Sequence, residues 1–157
     1  MSKVCAPDVR RLGEFIRAMM SQAPGLDRAK DTTVAAPWSL ARYQIEGSDL
    51  MLAWGTDLSS GARLAAGLSL LPEGVVDDAL RGKRLCDALE ENLYEVFNIG
   101  LSLLSDGVHR VKMLDVQHGL EARRFKAPCE TVAYDLRWPN GKVSRTFFVV
   151  GPPAVVG

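Results

Sequence analysis

The sequence predicts an α+β fold, an antiparallel β-sheet packed by long helices. Two stretches, 8–22 and 83–105, repeat apolar residues at three-to-four spacing, as helices do. The last third instead offers runs suited to strands, bounded by turn residues. Pro139-Asn140-Gly141 separates two of those runs and reads as a hairpin turn, because Asn and Gly accept positive φ. Strands from both halves are expected to share one sheet, with the longest helix across it.

In chain order, Asp8 is the expected N-cap of the first helix, and Pro24-Gly25 stops it near Gln22. Val9, Leu12, Phe15, Ile16, Met19 and Met20 share one face, which reads as core; the Met pair could instead form an adaptable partner groove. Residues 25–38 form a polar connector. Strands follow at Leu40–Glu46 and Leu50–Gly55, turning at Gly47-Ser48-Asp49. Ala62–Leu71 fits strand or helix by periodicity; its shortness and its bounds, Gly61 and Pro72, favour a strand. Glu73–Leu80 suits a short helix. Lys83–Ser105 is the longest helical stretch, with Gly100 its one weak residue, at a cost of about 1 kcal/mol relative to Ala. Strands at Val111–Gln117, Thr131–Trp138 and Lys142–Val150 complete the sheet, and the tail GPPAVVG is expected to fray.

The chain has 157 residues, 47% hydrophobic and 24% charged, the mix of a globular domain. One domain, 1–157, is expected. Nineteen basic residues balance nineteen acidic ones, which argues against nucleic-acid binding through phosphate neutralisation. Cys5, Cys86 and Cys129 are widely spaced, with no CxxC, as in a reducing cytoplasm rather than a disulfide framework or thiolate zinc site. No apolar run reaches the ~18–20 residues of a membrane span, and the first residues lack a signal core. A cytoplasmic protein with no membrane partner is expected.

The long helical stretch carries the most functional information. Its apolar residues cover most of the circumference. Arg84, Asp87, Glu91, Glu95, Asn98, Ser102 and Ser105 fall within an arc of roughly 80° at helical spacing. A helix packed on several sides shows water such a stripe whatever its function. Glu95 and Asn98, however, are neighbours at i and i+3. The carboxylate can grip a partner's cation, and the amide, with donor and acceptor atoms, can orient a water. Acyl-phosphate hydrolysis needs in-line placement of water more than covalent help from the protein.

The segment CDALEENLYEVFNIGLSLL, residues 86–104, resembles the signature helix of the CheC/CheX/FliY family of chemotaxis phosphatases. That family carries Glu-x-x-Asn, here Glu95-Val96-Phe97-Asn98, and the element order agrees over about residues 40–150. The resemblance implies a CheX-like fold and hydrolysis of the aspartyl phosphate on a response-regulator receiver domain, CheY or similar. It assigns water orientation to Asn98 and docking on a receiver lysine to Glu95. The family's Asp or Ser four residues before the Glu is here Glu91, and its small residue four after the Asn is Ser102; both would meet the partner. No Pro lies about twenty residues after Asn98, where many members of the family have one; Pro128 is thirty residues on, which implies a longer connection. No cofactor or metal of its own is implied, since Mg2+ is held by the receiver. Glu91 and Ser102 equally suit a non-catalytic binding or dimerisation module of the same shape.

Other features read as structural. His109 and His118, nine apart with Asp115 between them, read as strand-end residues rather than metal ligands. Arg123, Arg124 and Lys126, with Arg110 and Lys112, could cradle a phosphate, but suit a solvated loop better. Trp38, Trp54 and Trp138 read as core. There is no GxSxG, GxGxxG or phosphate-binding loop motif. The apolar end of Val143–Val150 suits either an exposed edge that pairs with a second copy, giving a homodimer, or a buried central strand.

Overall fold

The computed structural model describes residues 6–105, 107–121, 125 and 129–156, with the side chains of 154 and 155 left aside. Cys5, Arg123, Arg124, Lys126 and Pro128 lie outside the described residues. The elements run α1 (Val9–Met19), β1 (Gly25–Arg28), β2 (Trp38–Ile45), β3 (Met51–Asp57), α2 (Leu58–Leu68), α3 (Glu73–Gly82), α4 (Asp87–Ile99), α5 (Leu101–Leu104), β4 (Val111–Leu120), β5 (Glu130–Arg137), β6 (Val143–Gly151) and α6 (Pro153–Val156). The six strands form one antiparallel sheet in the order β1-β5-β6-β3-β2-β4, the α+β arrangement expected.

Alternation along the strands builds a core on each face. Ala41, Tyr43, Leu52, Trp54, Phe148 and Val150 point to the helices and pack with Leu12, Leu64, Leu93 and Phe97. Trp38, Leu40, Ala53, Phe147 and Val149 point the other way, against Val34 and Val156. All three tryptophans are buried, as expected. Trp54 is central on the helix side. Its ring stacks on Phe148 at 5.3 Å and meets Phe97 edge-on at 5.1 Å and Phe15 at 5.9 Å. Its Nε1 donates to Thr146 Oγ1 at 2.7 Å, and that hydroxyl donates to the Gly55 carbonyl at 2.8 Å.

Several sequence expectations need correction. Ala62–Leu71 is not a strand: α2 spans Leu58–Leu68. Asp57 caps it, its side chain accepting from Ser60 N. Residues Ser60–Ala66 are buried without interruption, so no polar face marks the helical period. Gly61 is a contact residue rather than a breaker, since a Cβ there would lie 3.2 Å from Leu93 of α4.

The long helical stretch is also divided. Lys83 adopts a left-handed conformation that ends α3, α4 begins only at Asp87, and Gly100 separates α4 from α5. A Cβ on Gly100 would stand 2.5 Å from Trp54 Cζ3. Glycine therefore lets the helix press onto the tryptophan. The far end is capped by Arg11 of α1, whose Nη2 donates to the carbonyls of Leu103 and Ser105.

Within the supposed connector, Gly25–Arg28 pairs with β5 as an edge strand. Its short polar sequence gave no alternating signal; main-chain pairing and the Asp27–Arg137 ion pair, 2.6 Å, hold it. β6 lies between β5 and β3, so the central-strand reading of Val143–Val150 holds and its edge reading fails. The tail is not frayed: residues 153–156 turn helically and Val156 is fully buried.

Arg145 of β6 ties down the segment before β2. Its Nη1 reaches Asp31 Oδ1 at 2.6 Å and the Thr33 carbonyl at 2.8 Å, and its Nε reaches Asp135 at 2.9 Å. Hydrogen bonds from Thr33 and Arg145 hold the Asp31 carboxyl down to about 2. A depressed folded-state value contributes stability that is present above the ordinary carboxylate range and lost as pH falls toward about 2.

Two measurements test this packing. In urea unfolding, Gly100→Ala should destabilise by about 1–3 kcal/mol despite alanine's better helix propensity. Gly74→Ala in α3, where a Cβ meets nothing within 4 Å, should instead stabilise by about 0.5–1 kcal/mol. Acid titration of Asp31→Asn should show a smaller loss of stability than wild type between about pH 4 and pH 2.

Candidate functional site

Helix α4 is fixed on its inner side and open on its outer side. Leu89, Leu93, Val96 and Phe97 are fully buried. The Tyr43 hydroxyl donates to the Phe97 carbonyl at 2.8 Å, anchoring the last turn to β2. Asn92 Nδ2 donates to the Ala65 carbonyl and to Ser69 Oγ, both at 3.0 Å, anchoring the middle to α2. These contacts set the helix's rotation and so decide which side chains face water.

The outward set contains all four residues singled out from sequence: Glu91, Glu95, Asn98 and Ser102 are exposed. Asn98 Nδ2 and Glu95 Oε1 lie 3.5 Å apart, at the outer limit of a hydrogen bond. Both groups therefore keep most of their bonding capacity for solvent or a visitor. Ser102 lies past the Gly100 break, and its hydroxyl donates to the Ile99 carbonyl at 3.0 Å. It presents a small profile with its donor already used. Arg84 and Ser105 fall outside the helices, although Arg84 remains exposed.

Two residues on this face escaped a search for polar groups. Tyr94, 49% exposed, is four residues before Asn98, and Ile99, 41% exposed, is four after Glu95. They flank the polar pair with apolar surface. The available signal was their position, since both sit one helical turn from the pair. Electrostatically the face is one-sided: α4 holds Asp87, Glu90, Glu91 and Glu95 and no basic residue. Asp87 and Glu90 suit the helix N-terminus, whereas Glu91 and Glu95 repel one turn apart. A cation seated between them would relieve that repulsion.

The remaining sequence candidates are dispersed. His118 sits in β4, half-buried, its Nδ1 hydrogen-bonded to Ser39 Oγ at 2.9 Å. Among the described residues no group of three His, Cys, Asp or Glu could hold a metal. Asp115 pairs with Arg42 of β2, Nε to Oδ1 2.8 Å, and that hydrogen bond keeps its carboxyl below the usual range. No helix among the described residues is long and apolar enough to cross a membrane.

No family model matches the sequence, and no curated protein is significantly similar to it. Solved structures do match. The middle domain of FliM from H. pylori superposes with a TM-score of 0.64 at 10% identity, over 94% of this chain and 86% of that one. The chemotaxis protein CheX from Vibrio vulnificus gives 0.61 at 12% identity, over 95% of both chains. CheX from Borrelia burgdorferi, solved as a complex with CheY, BeF3 and Mg2+, gives 0.59 at 12% identity, over 90% of this chain and 94% of that one. The chain has the CheX-type fold. The expected CheC/CheX/FliY resemblance thus holds at the level of architecture, and the same architecture is that of the FliM middle domain.

Anchoring and display are separable by mutation. Asn92→Ala should lower stability by about 1 kcal/mol through loss of its bonds to α2. Glu95→Ala and Asn98→Ala, both exposed, should stay within about 0.5 kcal/mol of wild type in denaturant titration.

Proposed function

We propose that this chain, acting as one cytoplasmic domain, accelerates hydrolysis of the aspartyl phosphate on a CheY-like receiver domain. The observation that carries this reading is the exposed Glu95–Asn98 pair on a helix whose opposite side is locked to the sheet. A rigid support matters because the chemistry depends on placement. The CheX of Borrelia burgdorferi binds CheY in the presence of BeF3 and Mg2+, and this chain shares its fold over nearly its whole length.

In this reading Glu95, with Glu91 beside it, grips a lysine of the receiver and so relieves the repulsion along the stripe. Tyr94 and Ile99 supply apolar contact around the polar pair. Asn98 reaches the phosphorylated aspartate and holds a water in line with the phosphorus. The water oxygen bonds to phosphorus as the bond from phosphorus to the aspartyl oxygen breaks. Inorganic phosphate leaves and the receiver carboxylate is restored. The metal of this chemistry belongs to the receiver, and the chain supplies none.

A second reading is a non-catalytic signalling module that binds through the same face. It is favoured by the FliM middle-domain superposition, and by Glu91 standing where the resemblance implies Asp or Ser and Ser102 where it most often implies Gly. If two copies assemble by strand pairing, the open edges available are β1 and β4, not β6.

Phosphate release from a phosphorylated receiver domain of the same organism separates the readings. Wild type should accelerate release; Asn98→Ala should lose about a hundredfold in rate. Glu95→Ala should act mainly by raising the receiver concentration needed. Receiver binding at an unchanged spontaneous decay rate would establish the second reading instead.

A further inference from the structure

A cavity of about 520 Å³ opens between the end of α1, helices α2 and α3, and the β5–β6 turn, away from the α4 outer face. Its walls include Met20, Ala66, Leu71, Val76 and Trp138. That size and apolar lining suit a small-molecule site. Arg63 of α2 also lines it, and is only 6% exposed. Its guanidinium lies against the Trp138 ring, with Cζ 5.7 Å from the ring centre. Nη1 donates to Glu73 Oε1 at 2.8 Å, but Nε and Nη2 are buried with no hydrogen-bond partner.

This arrangement is unusual for a charge that cannot be neutralised. A buried guanidinium is normally met by a carboxylate or by several carbonyl oxygens. Here its one ionic partner among the described residues, Glu73, has a side chain 57% exposed and engages one nitrogen. The fork of N–H donors that would receive a planar carboxylate is otherwise unused. Arg63 is the one cation among the described lining residues and Glu73 the one anion, so the site balances a single negative charge.

We propose that this cavity binds a small monocarboxylate with an aromatic or aliphatic body, and that Glu73 is a placeholder which the ligand's carboxylate replaces on Arg63. The exposed Glu73 side chain swings outward, the guanidinium turns its free edge to the incoming carboxylate, and the apolar body packs against Trp138 and Val76. A phosphate is disfavoured because its second charge would find no cation. This inference is independent of the role assigned to α4.

Calorimetric titration of the full chain with phenylacetate tests it, against phenethyl alcohol as the uncharged counterpart and inorganic phosphate as the compact anion. Phenylacetate should bind at millimolar concentration or below and the other two should not. Glu73→Gln, which removes the competing charge, should tighten phenylacetate about fivefold. Arg63→Lys, which keeps the charge and loses the fork, should weaken it at least about tenfold. If Arg63→Lys proves unfolded by circular dichroism, the Glu73→Gln result alone decides. The proposal is overturned if phenylacetate binds neither wild type nor Glu73→Gln, if Glu73→Gln does not tighten it, or if phenethyl alcohol or phosphate binds as well.

Discussion

The packing of Trp54 is the constraint on which the rest depends. One indole touches α1 through Phe15, α4 through Phe97, β6 through Phe148 and the α4–α5 junction at Gly100. A buried aromatic of this size removes a large apolar area from water, and its edge and face contacts add direction to that gain. Its one polar atom is satisfied by Thr146, so the indole itself leaves nothing unpaired. The height of the helical layer above the sheet is thus set by a ring. At the α4–α5 junction the approach is so close that a Cβ on Gly100 would stand 2.5 Å from the ring.

That constraint reaches the surface through α4. Phe97 is pressed onto Trp54 while its carbonyl is held by Tyr43, and Asn98 is the next residue in the chain. The carboxamide therefore stands on a backbone fixed from two directions. Asn92 adds a third hold through α2. Preorganisation of this kind gives two exposed side chains a defined geometry without enclosing them in a pocket. The same rigidity serves either recognition or catalysis, and one architecture accommodates both the CheX and the FliM middle-domain structures.

Much of this was legible in the sequence, and the exceptions share a cause. The polar stripe of α4 could be read because the remainder of that helix is buried, leaving contrast between its faces. The Asp8 cap and five of the six strands could be read from local residue chemistry. Helix α2 could not, since a helix buried on all sides has no period to detect. β1 was hidden because an edge strand relies on main-chain bonds that leave little trace in side-chain choice. The break at Gly100 needed knowledge of Trp54, forty-six positions earlier in the chain. Arg63 was invisible for the same reason: its burial follows from the placement of α2 against Trp138, and not from its neighbours in sequence.

The position of β6 has a consequence for biosynthesis. This strand is the seam of the sheet, joining β5 on one side to β3 on the other, yet it is the last of the six strands to leave the ribosome. Until it emerges, β2 and β3 can form a hairpin with β4 alongside, and β5 can hold β1, but no strand links these two groups. Two half-sheets with open apolar edges must wait together, which makes the time before β6 emerges the interval of greatest exposure to aggregation and chaperone capture. Closure then depends on contacts between residues roughly a hundred positions apart, a topology associated with slow folding.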